Sequence, residues 1–582
     1  MSDRPTYPDS PLAIDWRRVR HIEERDHHDA GGMAMAEGNI SPYPDLILFN
    51  GKIRSLAPGG AIHAAIACAG GRIVAAGPTD EVLRLGGPDT KAIDLKKRTA
   101  IPGLTDTHVH LADKGTAEKE LIDCRDFYCD VHTIAVIQER LAKRASELPK
   151  GTWLVAHGSP MQDFRLADKR FPDRNDLDRA VPQHPASISF GAHITIANSR
   201  ALELAGIIGD TPDPAGGAIK RDPNTGEPTG QLKERAQLIL RKVMPGYNST
   251  QLKSGIAYAI GKCLERGVTT IHDIVKDSAP VRAYQELDRE GELHMRVSLL
   301  LRVIESEMSA KSLLELGLQS GFGSEWLSIG GAKMSIDGGI TGRNACFYEP
   351  YEDDPSSSGL IRIQQDELND TVLACHQAGI RCCVHAIGDR AFDMALDAYD
   401  NALAKLPRPD HRHRIEHMGN WLCTPERMER LARMEIIAIP NISLAYFVGD
   451  SIRNSIGRKR MAQAFPFNTL LRHGVIMAGG SDSPGYWPVD PLRDIAACVS
   501  RRMLWGEVLV PEEALSIKEA FAMYTTQAAF AGFEERRKGT LEIGKLADIA
   551  VLGEDPFEVQ PDRIKDLKVE MTVVGGEVRY QA

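Results

Sequence analysis

The most constraining feature of this sequence is a repeated alternation of short apolar segments with amphipathic helical segments along most of its 582 residues. This alternation is typical of βα units, in which helices connect the strands of a parallel sheet. Such units predict an α/β fold of the (β/α)8 class, a TIM barrel. The eight candidate strands, most of which end in polar residues, are 100–110, 268–273, 296–301, 327–337, 379–385, 412–417, 435–440 and 474–482.

The interval between the first two candidate strands is far longer than the others, because it runs from residue 111 to residue 267. Within it, residues 153–157 and 186–193 have the composition of additional strands. We therefore expect an insertion subdomain at about residues 112–245. Loops that follow barrel strands form the active-site face, so this insertion is expected to lie beside the mouth of the barrel.

Both ends of the chain carry short β-rich runs separated by turn residues. Near the N-terminus they lie within residues 45–76, and Asn50-Gly51 there is a strong hairpin signal. Near the C-terminus they cover residues 548–552 and 569–580. Because small sheets with open edges are unstable alone, we expect the two ends to form one small β-sandwich. The predicted domains are an arm at 1–42, a sandwich from 43–99 and 540–582, and a barrel at 100–539.

The overall charge argues against two kinds of partner. The sequence has 70 Lys and Arg against 80 Asp and Glu, a net charge of −10, and no large basic region to attract nucleic acid or an anionic membrane. We find no apolar run of about 18 residues for a transmembrane helix and no apolar core of a secretory signal near the N-terminus. The ten cysteines are scattered, so we expect a reducing cytoplasm rather than a disulfide framework.

Four histidines lie at the ends of three predicted barrel strands. His108 and His110 are two residues apart, so a strand would present both imidazoles on one face, as two ligands of one metal require. His385 ends the fifth strand and His417 ends the sixth. Each histidine alone is more often a structural core residue. Four of them at the same ends of strands one, five and six favour a metal site.

An acidic and a basic residue complete this pattern. Asp482 ends strand eight within Gly-Gly-Ser-Asp, where the glycines allow the backbone to approach a metal closely. Its carboxylate could bind a metal and transfer a proton, although this segment could also cap the following helix. Lys333 lies on strand four, where a charged amine is costly to bury. It is either a lysine at a surface strand end or an amine that CO₂ converts to an anionic carbamate able to bridge two metals.

Several motifs in one order resemble a known family. The sequence is similar to the metal-dependent amidohydrolase superfamily, and within it to the amidohydrolase-3 branch of YtcJ-like proteins, which includes N-substituted formamide deformylases. The resemblance runs from about Asp45 to the C-terminus. It rests on IPGLTDTHVH at 101–110, NSRALELAGI at 198–207, PAGGAIKRDPNTGEPTGQLKE at 214–234, GAKMSIDGG at 331–339, VHAIGDRAF at 384–392, RIEH at 414–417, GGSDSP at 479–484 and KGTLEIGKLADIAVL at 538–552.

The resemblance implies a role for each candidate ligand. His108 and His110 would bind the more buried metal, and Lys333 would be the carbamylated lysine that bridges two metals. His385 and His417 would bind the second metal. Asp482 would touch the first metal and act as general base and then general acid. Imidazole-rich ligation favours zinc, as one or two divalent ions, and a one-metal site remains the alternative if the lysine is not carbamylated.

Other residues near the predicted mouth are secondary candidates. His193 follows an inserted strand and would donate to the oxyanion, although a structural histidine is an equal alternative. Asp337 and Arg343 lie on the loop after strand four, where they could contact substrate or order the loop. Trp487, on the loop after strand eight, is a candidate for an apolar wall.

These observations predict a metal-dependent hydrolase of a non-peptide C–N bond. An N-acyl or N-formyl amide is the expected substrate. A cyclic amide or urea hydrolase and a heterocycle deaminase are alternatives, because the same metal-activated water serves all of them. A catalytically inactive scaffold barrel is a further alternative. The expected partner is a small-molecule amide rather than nucleic acid or membrane, and a homodimer is left open.

Overall fold

The computed structural model describes residues 41–126, 130–191, 193–214, 216–304, 308–418, 423–483 and 487–582. The predicted arm lies outside the described residues, apart from its last two positions. Among the described residues, no helix combines the length and apolar character needed to cross a membrane. The nine described cysteines are buried and form no disulfide with one another.

The structure contains strands in the sandwich, the insertion and the barrel. They are β1 Leu46–Phe49, β2 Lys52–Arg54, β3 Ile62–His63, β4 Ala65–Ala69, β5 Arg72–Gly77, β6 Lys91–Asp94, β7 Thr99–Pro102, β8 Leu104–Val109, β9 Ile122–Asp123, β10 Leu154–Gly158, β11 Ala186–Phe190, β12 Ile194–Ala197, β13 Gly217–Arg221, β14 Pro228–Glu234, β15 Val268–Val275, β16 Arg296–Arg302, β17 Leu327–Ser335, β18 Cys382–His385, β19 Arg414–Glu416, β20 Ile437–Ile439, β21 Ile549–Leu552, β22 Val569–Val574 and β23 Glu577–Gln581.

Helices connect strands in the sandwich, the insertion and the barrel. The α-helices are Thr79–Leu83, Thr116–Glu120, Ile134–Ser146, Arg174–Ala180, Ser199–Leu204, Gln237–Arg241, Ser249–Leu264, Ser278–Arg289, Ala310–Glu315, Gln365–Gln377, Asp389–Lys405, Pro425–Arg433, Ile442–Met461, Phe467–Arg472, Pro491–Ser500, Ile517–Met523 and Thr526–Ala531. The long helix Ile442–Met461 is interrupted at Val448 and Gly457, which have non-helical dihedral angles.

Seven parallel strands form the barrel sheet, in the order β20-β19-β18-β17-β16-β15-β8. The eighth segment closes it through two isolated parallel bridges, from Met477 to Ala438 of β20 and from Ser483 to Val109 of β8. The prediction of a regular eighth strand at 474–482 was therefore wrong in detail. The segment keeps backbone hydrogen bonds on both sides, from Ala478 to Ala438 and from Asp482 to His108. The Gly479 amide donates instead to the carbonyl of Met523, so no continuous ladder forms there. The barrel prediction itself is confirmed.

The first predicted strand, 100–110, is divided in the structure. Gly103 separates β7, which pairs with β21, from β8, which pairs with β15. A β-carbon at Gly103 would lie 2.3 Å from Oγ1 of Thr269, so the crossing from the sandwich to the barrel requires a residue without a side chain. One continuous apolar run thus belongs to two sheets.

The two chain ends share a sandwich, as predicted. One sheet has the order β5-β4-β1-β6, and the other, β23-β22-β21-β7-β2-β3, combines strands from both ends. Leu48 and Ile66 of the first sheet lie in one buried cluster with Ile549 and Val573 of the second. Neither end could bury this apolar surface alone.

The long interval after β8 contains a sheet of its own. Its six strands have the order β13-β14-β12-β11-β10-β9, and none of them pairs with the barrel sheet. The helix Ile134–Ser146 packs onto it with Ile134, Ile137 and Leu141 buried. The predicted insertion is therefore a separate layer of structure attached to the barrel.

Candidate metal centre

The carboxyl end of β8 presents the two histidines of the His-Val-His sequence on one side. His108 has no exposed surface, and His110 is about one quarter exposed at its side chain. Nε2 of His108 lies 3.4 Å from Oδ1 of Asp482, and Nε2 of His110 lies 3.2 Å from the same oxygen. Within the described chain, ligand atoms of these three residues converge within 4.8 Å of one another. The alternation of side chains along a strand explains why both imidazoles point to one place.

The backbone holds Asp482 in this position. Its amide donates to the carbonyl of His108 at 2.9 Å, and its φ of 59° is in the left-handed region, which is strained for a non-glycine residue. Burial by itself would raise the pKa of Asp482, but the adjacent imidazoles of His108 and His110 hold that pKa well below the usual range. The carboxyl is thus ionised at neutral pH, as a ligand or proton acceptor must be.

His385 and His417 lie next to this trio. The ring centroids of His385 and His417 are 4.4 Å apart, and those of His417 and His108 are 4.8 Å apart. His417 also has a left-handed backbone, with a φ of 64°. Burial, together with nearby positive groups, holds the pKa of each of these two rings well below its usual value, so both are neutral. Strands one, five and six therefore deliver their histidines to one cluster.

Lys333 lies on β17 between β16 and β18, and only 3% of it is exposed. Burial lowers the pKa of its amine to about 8, although the carboxylates of Glu416 and Asp482 oppose this shift. No described carboxylate lies within ion-pair distance of its Nζ. A buried amine without a paired anion is the environment in which a neutral form is accessible at ordinary pH.

Sequence reasoning missed the residues that orient His108. Nδ1 of His108 lies 2.5 Å from Oε2 of Glu416, and the guanidinium of Arg414 donates to both oxygens of that carboxylate. The same guanidinium reaches Nδ1 of His272 at 2.9 Å. The sequence held one signal for these residues: Arg414 and Glu416 have opposite charges and are two positions apart. On a strand, this spacing places both side chains on the same face. Carboxylate–histidine pairs of this kind fix the tautomer of a metal ligand.

His193 is also oriented by a carboxylate. Its Nδ1 lies 2.8 Å from Oε1 of Glu234, to which the side-chain amide of Asn344 also donates. A β-carbon on Gly339 would lie 2.8 Å from Nε2 of His193, so this nitrogen faces the loop that follows β17. The insertion thus contributes a histidine to the mouth of the barrel, at a position adjoining the strand that carries Lys333.

The three remaining candidates have different surroundings. Asp337 is buried and accepts hydrogen bonds from the amides of Cys346, Ile387 and Gly388, while its Oδ1 lies 3.4 Å from Nε2 of His385. Arg343 is partly exposed and pairs with Asp353. Trp487 is fully buried, and its Nε1 donates to the carbonyl of Ser481 at 2.9 Å. A role of these residues toward substrate stays a prediction.

The donor set fits a divalent metal ion. Nε2 of His108, Nε2 of His385 and Nδ1 of His417 are buried and have no hydrogen-bond partner among the described residues. Buried ring nitrogens normally have a hydrogen-bond partner. Three neighbouring rings whose nitrogens have none can offer their lone pairs to a metal ion. With the carboxylate of Asp482, they form the nitrogen–oxygen set that zinc and similar ions prefer.

A known family profile, described as the amidohydrolase family, matches residues 91–580 of this chain. The chain is 32% identical to YtcJ of Bacillus subtilis (strain 168), a protein named as an amidohydrolase, over 86% of this chain and 92% of that protein. It is 27% identical to an N-substituted formamide deformylase of Arthrobacter pascens, over 92% of this chain and 98% of that enzyme. These matches span the sandwich, the insertion and the barrel.

A solved structure shares the same arrangement. The crystal structure of an uncharacterised metal-dependent hydrolase from Pyrococcus furiosus superposes with a TM-score of 0.69 at 27% sequence identity. The superposition covers 88% of this chain and 100% of that one.

Proposed function

This chain belongs to the amidohydrolase family and is a hydrolase of C–N bonds, and we propose that its substrate is an N-formyl or N-acyl amide, which it converts to a carboxylate and an amine. The similarity to an N-substituted formamide deformylase along nearly the whole length of both proteins supports this substrate class. The expected partner is therefore a small molecule with an open-chain amide.

The convergence of His108, His110 and Asp482 carries the proposal. Their ligand atoms lie within 4.8 Å of one another at the carboxyl end of the barrel, where this fold places its active sites. We propose that these residues hold one zinc ion and that His385 and His417 hold a second. A bound divalent ion polarises a carbonyl oxygen and lowers the pKa of water toward neutrality.

The chain's own residues move the proton. Asp482 is ionised, so its carboxylate accepts the proton of the attacking water and then returns it to the leaving nitrogen. Glu416 holds Nδ1 of His108 and so keeps Nε2 directed toward Asp482. His193 is oriented by Glu234 through Nδ1, and we propose that its ring, with hydrogens on both nitrogens, donates from Nε2 to the developing oxyanion.

We also propose that Lys333 is carbamylated. The ammonium first loses one proton to solvent, and the neutral amine then attacks CO₂. A nitrogen–carbon bond forms as one C=O π bond of CO₂ breaks to leave a carboxylate oxygen, and the nitrogen releases a second proton, so an anion replaces the cation. Its burial and the absence of a described carboxylate at ion-pair distance support this reaction, because the amine can lose its proton and the resulting anion would lie among neutral imidazoles.

The direct test is a substrate panel with matched variants. Zinc-loaded protein is assayed with N-substituted formamides, N-acetyl amines, cyclic amides and amino-substituted heterocycles. We expect hydrolysis of the first two classes, a loss of at least about 1,000-fold in kcat for Asp482→Asn, and no change for Asp89→Asn, an exposed control. Turnover of cyclic amides or heterocycles alone would overturn the proposed substrate class.

A further inference from the structure

A cavity of about 140 Å³ lies between the insertion and the loop that follows β17. Phe164, Phe171 and Phe190 contribute aromatic surface to it from the insertion, and Thr341 and Arg343 line it from the barrel loop. A dry apolar cavity of about 150 Å³ accommodates one benzene molecule. The size and lining of this cavity therefore suit a single ring or a short alkyl chain.

The aromatic lining is organised as a wall with one exposed edge. The rings of Phe171 and Phe190 lie 4.6 Å apart between centroids, in a tilted arrangement. Phe164 is 53% exposed, which is unusual for a large apolar side chain at the edge of a concave site. A ligand in the cavity would cover that ring and reduce the apolar surface in contact with water.

One carboxylate in the cavity has an unsatisfied oxygen. Oδ1 of Asp163 is buried and has no hydrogen-bond partner among the described residues. The two nearby arginines are already engaged, because Arg165 pairs with Asp126 and Arg343 pairs with Asp353. Burial raises the pKa of Asp163, although the backbone amides of Phe164 and Asp163 and the charges of Arg165 and Arg343 oppose the shift. A buried acceptor of this kind is costly unless a ligand donates to it.

Backbone strain is concentrated around the same cavity. Met161, with a φ of 53°, and Arg343, with a φ of 57°, both line it in the left-handed conformation. Such strain in non-glycine residues is common at ligand-binding positions, where the surrounding structure maintains it. The two strained residues come from opposite walls, one from the insertion and one from the barrel loop.

The cavity adjoins the metal centre through His193. His193 lines the cavity, and its Nε2 faces Gly339 on the loop after β17. On the same loop, Oδ1 of Asp337 lies 3.4 Å from Nε2 of His385. A substrate with its amide at the metal centre could therefore extend one substituent past His193 into the cavity.

We propose that this cavity binds the amine-side substituent of the substrate, and that the preferred substituent is an apolar group ending in a protonated amine that donates to Asp163. This rests on the proposed function for the position of the amide bond. The aromatic wall binds the apolar part and stabilises the ammonium through its ring faces. The carboxylate supplies a charge-assisted hydrogen bond.

The test measures binding separately from catalysis. Calorimetry is performed with three amines that share a benzylamine frame and differ in the para group: p-xylylenediamine, 4-methylbenzylamine and 4-(aminomethyl)benzoic acid. We expect the diamine to bind about 10- to 100-fold more tightly than the methyl compound, as one charge-assisted hydrogen bond predicts. The carboxylic acid should bind most weakly. Asp163→Asn should remove this preference, whereas Asp89→Asn should preserve it.

Two further measurements separate the possible failures. Phe164→Ala removes an exposed ring, so the fold should be preserved while all three amines bind more weakly by a similar factor. The mono-N-formyl derivatives are then assayed for hydrolysis. The expected calorimetric order without hydrolysis would support the cavity assignment and overturn the proposed formamide chemistry. An unchanged diamine preference in Asp163→Asn, or tightest binding of the carboxylic acid, would overturn the cavity assignment itself.

Discussion

At His108, the two ring nitrogens have different neighbours, and this difference decides what the residue can do. Nδ1 is bound to Glu416, so it carries the hydrogen, and Nε2 keeps its lone pair directed toward Asp482. Arg414 in turn fixes both oxygens of Glu416. The candidate ligand His108 is thus oriented by a buried pair of opposite charges.

Glu416→Gln tests this orientation. We expect metal affinity to fall about 10- to 100-fold, because the amide is a weaker acceptor and no longer fixes the tautomer. The measurement is competition against a chelating dye. Glu426→Gln, on an exposed helix position, is the matched control. Thermal unfolding of the metal-free variant identifies any general loss of stability, and unchanged metal affinity would contradict the assigned role.

Lys333→Ala tests the carbamate. Activity should fall at least about 100-fold, since the anionic ligand is lost, and short carboxylic acids such as acetate or propionate should restore part of it. The readout is kcat with and without added acid, under air and in CO₂-depleted buffer. A fully active Lys333→Ala variant would show that no carbamate is needed.

The convergence of the candidate ligands was predictable from sequence, because it depends on where each residue lies along its barrel strand. His108, His385 and His417 each end a strand, and parallel strands end at the same face of a barrel. The roles of Glu416 and Arg414 were not predictable to the same degree. They depend on which face of a three-residue strand points into the barrel, and burial of a charged pair there follows no apolar pattern.

At the scale of elements, a histidine network lies beneath β18 and β19, away from the metal centre. His413 donates from Nε2 to Nδ1 of His376, and His376 donates to the carbonyl of Leu406. His411 donates to the carbonyl of Met434 and accepts from the amide of His413. Each second nitrogen is an acceptor, so the network is complete only when all three rings are neutral.

This network predicts a loss of stability in acid. Burial lowers the pKa of His411 to about 4, with Arg408 adding to the shift and Asp410 opposing it. The unfolded chain, with a pKa of about 6.5, therefore binds more protons between pH 6.5 and pH 4, and stability falls as pH falls through that window. At pH 5 the protonation of His411 in the unfolded chain lowers the free energy of unfolding by about 2 kcal/mol.

The variant His411→Gln isolates this contribution. Glutamine can keep one donor and one acceptor but does not titrate. We expect the free energy of unfolding, measured in urea on metal-free protein, to fall less steeply from pH 7 to pH 5 in the variant than in the wild type. Equal pH slopes for the two proteins would contradict the assignment.

Elements were predicted best where a strand is regular. The segment at 474–482 closes the barrel through isolated bridges, because the carbonyl of Met523 replaces a β8 partner at the Gly479 amide. At Gly103, a single apolar run turns from one sheet into another, and no local pattern marks that change. Both differences arise from tertiary pairing, which overrides local propensity.

At the scale of the whole molecule, one buried ion pair joins the sandwich to the barrel. Arg296 begins β16, and its guanidinium donates to both oxygens of Asp548, which also accepts from the amide of Gly575. Both side chains are less than 5% exposed. The pairing of the two chain ends was predictable, because both ends carry short β-rich runs separated by turn residues. The ion pair with the barrel was not predictable, because its two partners are 252 residues apart in the sequence.

Asp548→Ala tests the anchor. Removing one partner leaves a buried guanidinium unpaired, so we expect a loss of about 3–5 kcal/mol in the free energy of unfolding. The measurement is urea denaturation at pH 7.5, with Asp562→Ala, a partner in an exposed ion pair, as the control. A change of less than about 1 kcal/mol, as expected for surface pairs, would show that the two domains are held together by other contacts.

The central claim is that the convergent histidines and Asp482 hold a catalytic divalent metal. The most direct measurement is elemental analysis of the purified protein together with amide hydrolysis before and after chelation. We expect one to two equivalents of zinc or a similar ion, parallel loss of metal and activity on chelation, recovery when zinc returns, and loss of both in His108→Ala. Full hydrolytic activity in protein shown to contain no metal would contradict it.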